Sequence, residues 1–356
     1  VARLDELLRR VETDGGSDLH LAAGREPRIR IHGHIEAVPG WAPLDDASLR
    51  VLLRELVPPA RWDAFTAGHD ADFAYELAGA GRFRANYFEQ QLGVGAVFRR
   101  IPEKIIPLES LGTPPAVERL ARLKTGLVLV TGPTGSGKST TLAALIDRIN
   151  GASARHIVTI EDPIEFVHQN RKSIVSQREV GTDTASFSAA LRAAIRQDAS
   201  VVMVGEMRDL ETISLALTAA EMGMLVFGTV HTNSTAKTID RIVDAFPSDQ
   251  QAQARSMLGE SLAAVVSQLL LRTKDGQGRV AAHEILLRTP GLPNLIRAGN
   301  TQLLASILQG GRAEGMQTMD DSLYALASNG RISGEDAWVR SVDKRRFEPL
   351  REAPQG

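Results

Sequence analysis

The stretch Gly132-Pro133-Thr134-Gly135-Ser136-Gly137-Lys138-Ser139 constrains this chain more than any other. It follows an apolar run, Leu127-Val128-Leu129-Val130, that ends at Thr131, and it opens a helical pattern reaching about Asn150, with Gly151 as the expected stop. A strand, a glycine-rich turn and a helix in that order make a Walker A phosphate loop. The glycines let backbone N–H groups converge on phosphate oxygens, and the helix N-terminus adds partial positive charge. Lys138 reaches the β/γ-phosphates, and the Ser139 hydroxyl is a ligand for Mg²⁺. Gly132 to Thr140 are therefore the expected nucleotide-binding residues, with ATP and Mg²⁺ as the expected cofactors.

Such a loop needs a parallel sheet around it, and the sequence supplies one. Ile157-Val158-Thr159-Ile160, Val201-Val202-Met203-Val204 and Leu225-Val226-Phe227-Gly228 are apolar without alternation, as strands buried between two helix layers are. The expected fold class is α/β. A P-loop enzyme also needs a strand-end acid for the metal's water shell and a group that handles the attacking water. Glu206 closes the Val201–Val204 run, where a Walker B acid sits. Ile160-Glu161-Asp162-Pro163-Ile164-Glu165 brings three more carboxylates to a strand end, with a proline that breaks the strand; Glu161 and Asp162 equally suit a solvated turn or a cap. His231 closes the Leu225–Val230 strand, and Thr232-Asn233-Ser234-Thr235 behind it is positioned to sense a γ-phosphate.

Before the loop lies a smaller α/β region. Leu4, Leu7, Leu8 and Val11 have helical spacing up to Gly15-Gly16, and short strands follow at Asp18–Leu21, Arg28–Ile31 and Ile35–Val38, the last two flanking His32-Gly33-His34. A helix over Asp45–Val57 ends at Pro58-Pro59, and Asp72–Tyr75, Phe83–Tyr87 and Gly95–Phe98 read as further strands. The proline-bearing segment Ile101–Pro115 is the expected linker and hinge, which sets a first domain at 1–100, a core at 116–290 and a helical region at 291–356. His20, His32, His34 and His69 lack metal-ligand spacing.

Composition narrows the function. Lys and Arg total 41 against 43 Asp and Glu, so no global basic field favours nucleic acid, and aromatic residues are 4% of the chain. With no cysteine, disulfides, thiol catalysis and cysteine-ligated metals are excluded. The N-terminus lacks a signal pattern and no apolar run approaches the roughly 20 residues of a membrane span, so a cytoplasmic, soluble chain is expected.

Thr159–His168, Val204-Gly205-Glu206-Met207-Arg208-Asp209, Phe227-Gly228-Thr229-Val230-His231-Thr232 and Arg279-Val280-Ala281-Ala282-His283-Glu284 together resemble the type II/IV secretion ATPase superfamily, and within it the pilus-retraction ATPases. The resemblance spans nearly the whole chain. It implies a PAS-like N-terminal domain, a RecA-like ATPase core, and a homohexamer that turns ATP hydrolysis into pilus disassembly beneath a platform protein at the cytoplasmic face of the inner membrane. It also implies that Glu165 is the general base, Glu206 the Walker B acid that holds Mg²⁺ through water, and His231 part of a histidine box. Arg82, Arg84 and Arg99 of the first domain would be arginines that meet the triphosphate.

Two departures stand out. Met224 occupies a position where the family commonly has a histidine, so no function is placed there. The late-helix retraction motif appears as Gly291-Leu292-Pro293-Asn294-Leu295-Ile296-Arg297, intact only in its second half. A pilus-extension or secretion ATPase is the nearest alternative, although those relatives are longer and often hold a tetracysteine zinc site. A RecA-like DNA translocase is a remote alternative that lacks the basic, aromatic channel it needs.

Overall fold

A computed structural model describes residues 3–31, 34–101 and 104–351. The chain divides into two units. The first takes the residues up to Lys104 together with Pro163–Val167, and the second takes Ile105–Asp162 and the residues from His168 onward.

In the first unit, the Leu4, Leu7, Leu8 and Val11 stripe is fully buried along α1 (Arg3–Thr13). The chain continues through β1 (Asp18–Ala22), β2 (Arg28–Ile31), β3 (His34–Ala37), α2 (Asp46–Arg54), α3 (Pro59–Thr66), β4 (Ala71–Leu77), β5 (Gly81–Gln90) and β6 (Gly93–Ile101). The strands form one antiparallel sheet in the order β3-β2-β1-β6-β5-β4. Period-2 alternation decides its faces. On β5, Phe83, Ala85 and Tyr87 are buried in the core with α1 and α2, while the alternate residues Arg82 and Arg84 are not. The expected helix through Val57 stops at Arg54, and Pro58-Pro59 starts a second helix: proline lacks an N–H that a first turn does not use. His32 and Gly33 of the expected hairpin lie outside the described residues, as does Pro102 of the expected linker.

The second unit opens with a 3₁₀ turn at Leu108–Leu111 inside the expected linker. That segment is not bare, because Leu108 is buried with Val117 and Leu145. There follow α4 (Pro115–Leu120), β7 (Gly126–Thr131), α5 (Lys138–Ala152), β8 (His156–Glu161), β9 (Ile174–Glu179), α6 (Phe187–Ala194), β10 (Val201–Val204), α7 (Leu210–Glu221), β11 (Leu225–Val230), α8 (Thr235–Asp244) and α9 (Gln251–Ser261). Then come β12 (Leu262–Arg272), β13 (Arg279–Leu287), α10 (Leu292–Arg297), α11 (Leu304–Gly310), α12 (Met319–Ser328), α13 (Gly334–Arg340) and α14 (Lys344–Phe347). The sheet order is β13-β12-β7-β11-β10-β8-β9, parallel except for the β12–β13 pair.

The apolar runs are buried on both faces for a visible reason. Leu127 and Leu129 join a core with α6 to α10, whereas Val128 and Val130 join a separate core with α4 and α5. β9, β12 and β13 are not legible as strands in the sequence, since polar residues interrupt their apolar runs; Gln177, Ser267, Gln268 and Glu284 among these are hydrogen-bonded inside the fold. α5 runs one residue beyond Gly151, to Ala152, before Ser153 turns extended. α12 and α13 start on side-chain caps from Thr318 and Ser333. The fold class read from the sequence, a P-loop core with a smaller α/β unit before it and helices after it, is the one observed. Among the described residues, no helix is long and apolar enough to cross a membrane.

Candidate nucleotide site

Parallel strands place all their carboxyl ends on one sheet edge. Across that edge the order β7, β11, β10, β8 sets side by side the phosphate loop, His231, Glu206 and the Glu161-Asp162 turn.

The loop is shaped by steric necessity. Gly132 has φ +146 and Gly137 has φ +85, which favour glycine. A Cβ on Gly132 would lie 2.3 Å from the Gln268 carbonyl oxygen, and one on Gly137 would lie 2.8 Å from the Gln268 amide nitrogen. Pro133, Thr134 and Gly135 form an exposed tip, while Ser136 and Lys138 are buried. The Lys138 ammonium donates to the carbonyls of Gly132 at 2.8 Å and Pro133 at 3.0 Å. The Ser136 hydroxyl is buried without a partner among the described residues. Ser139 and Thr140 are half-buried in the first turn of α5, whose leading N–H groups have no earlier helical carbonyl to meet. Narrow glycines, an unspent hydroxyl, an ammonium and a helix start are what a phosphate group requires.

Glu206, just past β10, accepts from Arg208 and lies 3.1 Å from His231 Nε2. Burial, the largest influence, works to raise its carboxyl, but the Arg208 guanidinium, with His231 and Lys138 nearby, holds it below the usual carboxylate range. It is therefore a carboxylate at neutral pH. Glu161 is buried and accepts from the Thr159 hydroxyl at 2.7 Å and from Gln177 at 3.2 Å, so it braces the end of β8. Asp162 and Glu165 are exposed. Of the residues expected to face a γ-phosphate, most are engaged within the protein: Thr232 meets the Thr238 hydroxyl at 2.7 Å, Ser234 caps α8, and Thr235 donates through its N–H and hydroxyl to Glu284. Met224 packs against the core.

The arginines belong to the first unit. Arg99 and Arg84 are paired across β6 and β5 and both are exposed. Arg99 donates to the buried Asp18 at 2.8 Å, and Arg84 stands 3.7 Å from Asp72. Arg82, two residues along β5 from Arg84, is half-buried on the same side of the strand. The structure thus brings together the phosphate loop, Glu206 and His231 in one unit and gathers Arg82, Arg84 and Arg99 in the other. Arg208 and Gln268 had no assigned role in the sequence. The signal for Gln268 was present, however: Ser267-Gln268 interrupts the otherwise apolar Leu262–Leu271 run.

A strand, glycine loop and helix on a parallel sheet, with a strand-end carboxylate near the loop lysine, define a P-loop nucleotide-binding protein. Residues 69–327 match the Type II/IV secretion system protein family, and the chain belongs to that family. It is 51% identical, over 94% of this chain and 96% of the relative, to the "Type IV pilus retractation ATPase PilT" of Pseudomonas aeruginosa. It is 50% identical to the "Twitching motility protein" of Neisseria gonorrhoeae, over 88% of this chain and 84% of that one. Among solved structures, the pilus retraction motor PilT with bound ADP superposes with a TM-score of 0.91 at 45% identity, covering 98% of this chain and 99% of that one.

Proposed function

We propose that this chain is a Mg²⁺-dependent ATP hydrolase that acts as the motor of type IV pilus retraction. One observation carries the chemistry: the phosphate loop, an ionised Glu206 and His231 converge on a single sheet edge. The extensive likeness to pilus retraction ATPases directs that chemistry to the pilus.

In this reading the backbone of residues 132–137 and the Lys138 ammonium bind the triphosphate. Lys138 exchanges the carbonyls of Gly132 and Pro133 for β/γ-phosphate oxygens. Mg²⁺, a hard cation that keeps much of its water, would be held by the Ser139 hydroxyl and, through water, by Glu206; it would neutralise charge between the phosphates. Glu165 takes the proton of the attacking water. His231, whose Nε2 stands 3.1 Å from Glu206, relays the state of the phosphate site to the loop before α8. Arg82, Arg84 and Arg99 stabilise the charge that develops in the transition state; in a homohexamer they are supplied at subunit boundaries. The assembled ring works at the cytoplasmic face of the inner membrane, beneath a platform protein of the pilus and without nucleic acid.

The test pairs phosphate release with mass photometry, with and without Mg²⁺ and ATP. The expected outcome is Mg²⁺-dependent turnover by a six-chain species, reduced at least about 100-fold in Lys138→Ala because the charge on the β/γ-phosphates is gone. Turnover that survives Lys138→Ala, or that belongs to a strict monomer, would end this reading.

A further inference from the structure

We propose that Gln268 is a positioning residue of the phosphate loop, holding the Ser136–Gly137 peptide so that its N–H faces the bound phosphate; the proposal rests on the loop being the ATP site. β12 runs parallel to β7 with Ser267 opposite Thr131, so Gln268 comes level with the first residue of the loop. The Ser267 and Thr131 hydroxyls meet at 2.7 Å, which fixes this register where the loop begins.

The buried Gln268 side chain makes two bonds. Its Nε2 donates to the Ser136 carbonyl at 2.6 Å, and its Oε1 accepts from the Thr141 hydroxyl at 2.9 Å. The first bond sets the orientation of the amide, since a main-chain carbonyl accepts only and must be met by the nitrogen. One side chain therefore spans the last turn of the loop and the first turn of α5.

The consequence follows from peptide geometry. In a planar trans peptide the C=O and N–H point in opposite directions. Pinning the Ser136 oxygen toward β12 turns the Gly137 N–H away from β12, to the side a phosphate occupies. Without the pin this peptide is easily rotated, because Gly137 is the residue best able to exchange backbone conformations. The same residue explains both tight glycines. A Cβ at Gly132 would collide with the Gln268 main chain, and one at Gly137 would collide with its amide nitrogen. Neither bond touches a group that reacts, so Gln268 acts through the loop and is not itself catalytic.

The test uses the full-length chain and a fluorescent N-methylanthraniloyl-ADP titration, which needs no hydrolysis, together with kcat and KM for ATP and the nucleotide-free melting temperature. Gln268→Met keeps the length and removes both bonds. Gln268→Glu keeps the acceptor for Thr141 and loses the donor to Ser136. Both should bind the ADP analogue about tenfold more weakly, the scale of one lost buried hydrogen bond. KM for ATP should rise by a similar factor while kcat stays within about threefold. Thr141→Val leaves the Ser136 bond intact and should weaken binding by only about twofold to threefold; it also serves where a Gln268 variant does not fold. A lowered melting temperature with ADP affinity within twofold of wild type in either folded Gln268 variant would overturn the proposal, as would Thr141→Val weakening binding as much as Gln268→Glu. Wild-type protein that fails to bind the ADP analogue would remove the ATP-site reading itself, and this inference with it.

Discussion

Lys138 is buried and its ammonium is bonded twice to the loop that carries it, whereas Arg84 and Arg99 lie exposed on adjacent strands, each near a carboxylate of its own sheet. The two sets of positive charge suit different tasks. The loop is fixed by glycines, by the start of α5 and by β12, so its shape is set before a nucleotide arrives. Arg99 pairs with the buried Asp18, which also has Ser17 and Arg30 beside it, whereas Arg84 is held by an exposed pair, which contributes about 0–1 kcal/mol. Exchanging such a partner for a phosphate therefore costs little. In the proposed mechanism, grip belongs to the rigid region and transition-state charge to the adaptable one.

Removing the acids should separate grip from chemistry most sharply. Glu206→Gln and Glu165→Gln each keep shape and lose the carboxylate, and each should lower ATP turnover by about 100-fold or more while ATP still binds. Single-turnover phosphate release beside equilibrium nucleotide binding reads both quantities. Wild-type turnover in Glu165→Gln would remove it as the base, and loss of binding in Glu206→Gln would assign that carboxylate to the loop's architecture.

A smaller effect is expected from the arginine face. The triple change Arg82→Ala, Arg84→Ala and Arg99→Ala should lower kcat by about 10-fold to 100-fold and leave ADP affinity within a few-fold, since these side chains lie outside the loop. In rings mixed with Glu165→Gln subunits, arginines acting across a boundary would restore some turnover. Full activity of the triple variant would erase the contrast between the two regions.

The smallest effect concerns the rigidity of the second unit. Burial lowers His283 to about 4, and burial likewise lowers His168 to about 4 despite the nearby Asp147 carboxylate. In the unfolded chain each titrates near 6.5, so on acidification the unfolded state takes up protons first. Stability is thus full above about pH 6.5 and declines as pH falls toward 4. Urea midpoints at pH 7.5 and pH 5 should show this loss, and His283→Gln should make the pH dependence shallower. An unchanged slope would mean that His283 does not titrate across folding.

Legibility in the sequence followed locality. The phosphate loop could be read because strand, glycines, lysine and helix are consecutive, and Glu206 and His231 because each ends an apolar run. Glu161 could not be assigned: whether a strand-end carboxylate faces solvent or braces a neighbour depended on Thr159 and on Gln177 of β9. Thr232, Ser234 and Thr235 looked free to meet a γ-phosphate until Thr238, the start of α8 and Glu284 were placed beside them. Pro58-Pro59 misled in another way, since the same residues that end one helix also suit the first turn of the next.

The sequence by itself determined the local chemistry: a phosphate loop with its lysine and hydroxyls, buried parallel strands on either side, and acids and a histidine at their carboxyl ends. Those features depend on residues within a few positions of one another, where backbone propensity and steric limits act directly. Tertiary structure alone decided that Ser267 and Gln268, more than a hundred residues from the loop, stand against it, and that Glu206 is kept ionised between Arg208, His231 and Lys138. The reason is physical. Strand order is set by which apolar faces two helix layers can bury together, and only that order determines which polar side chains become neighbours across the sheet.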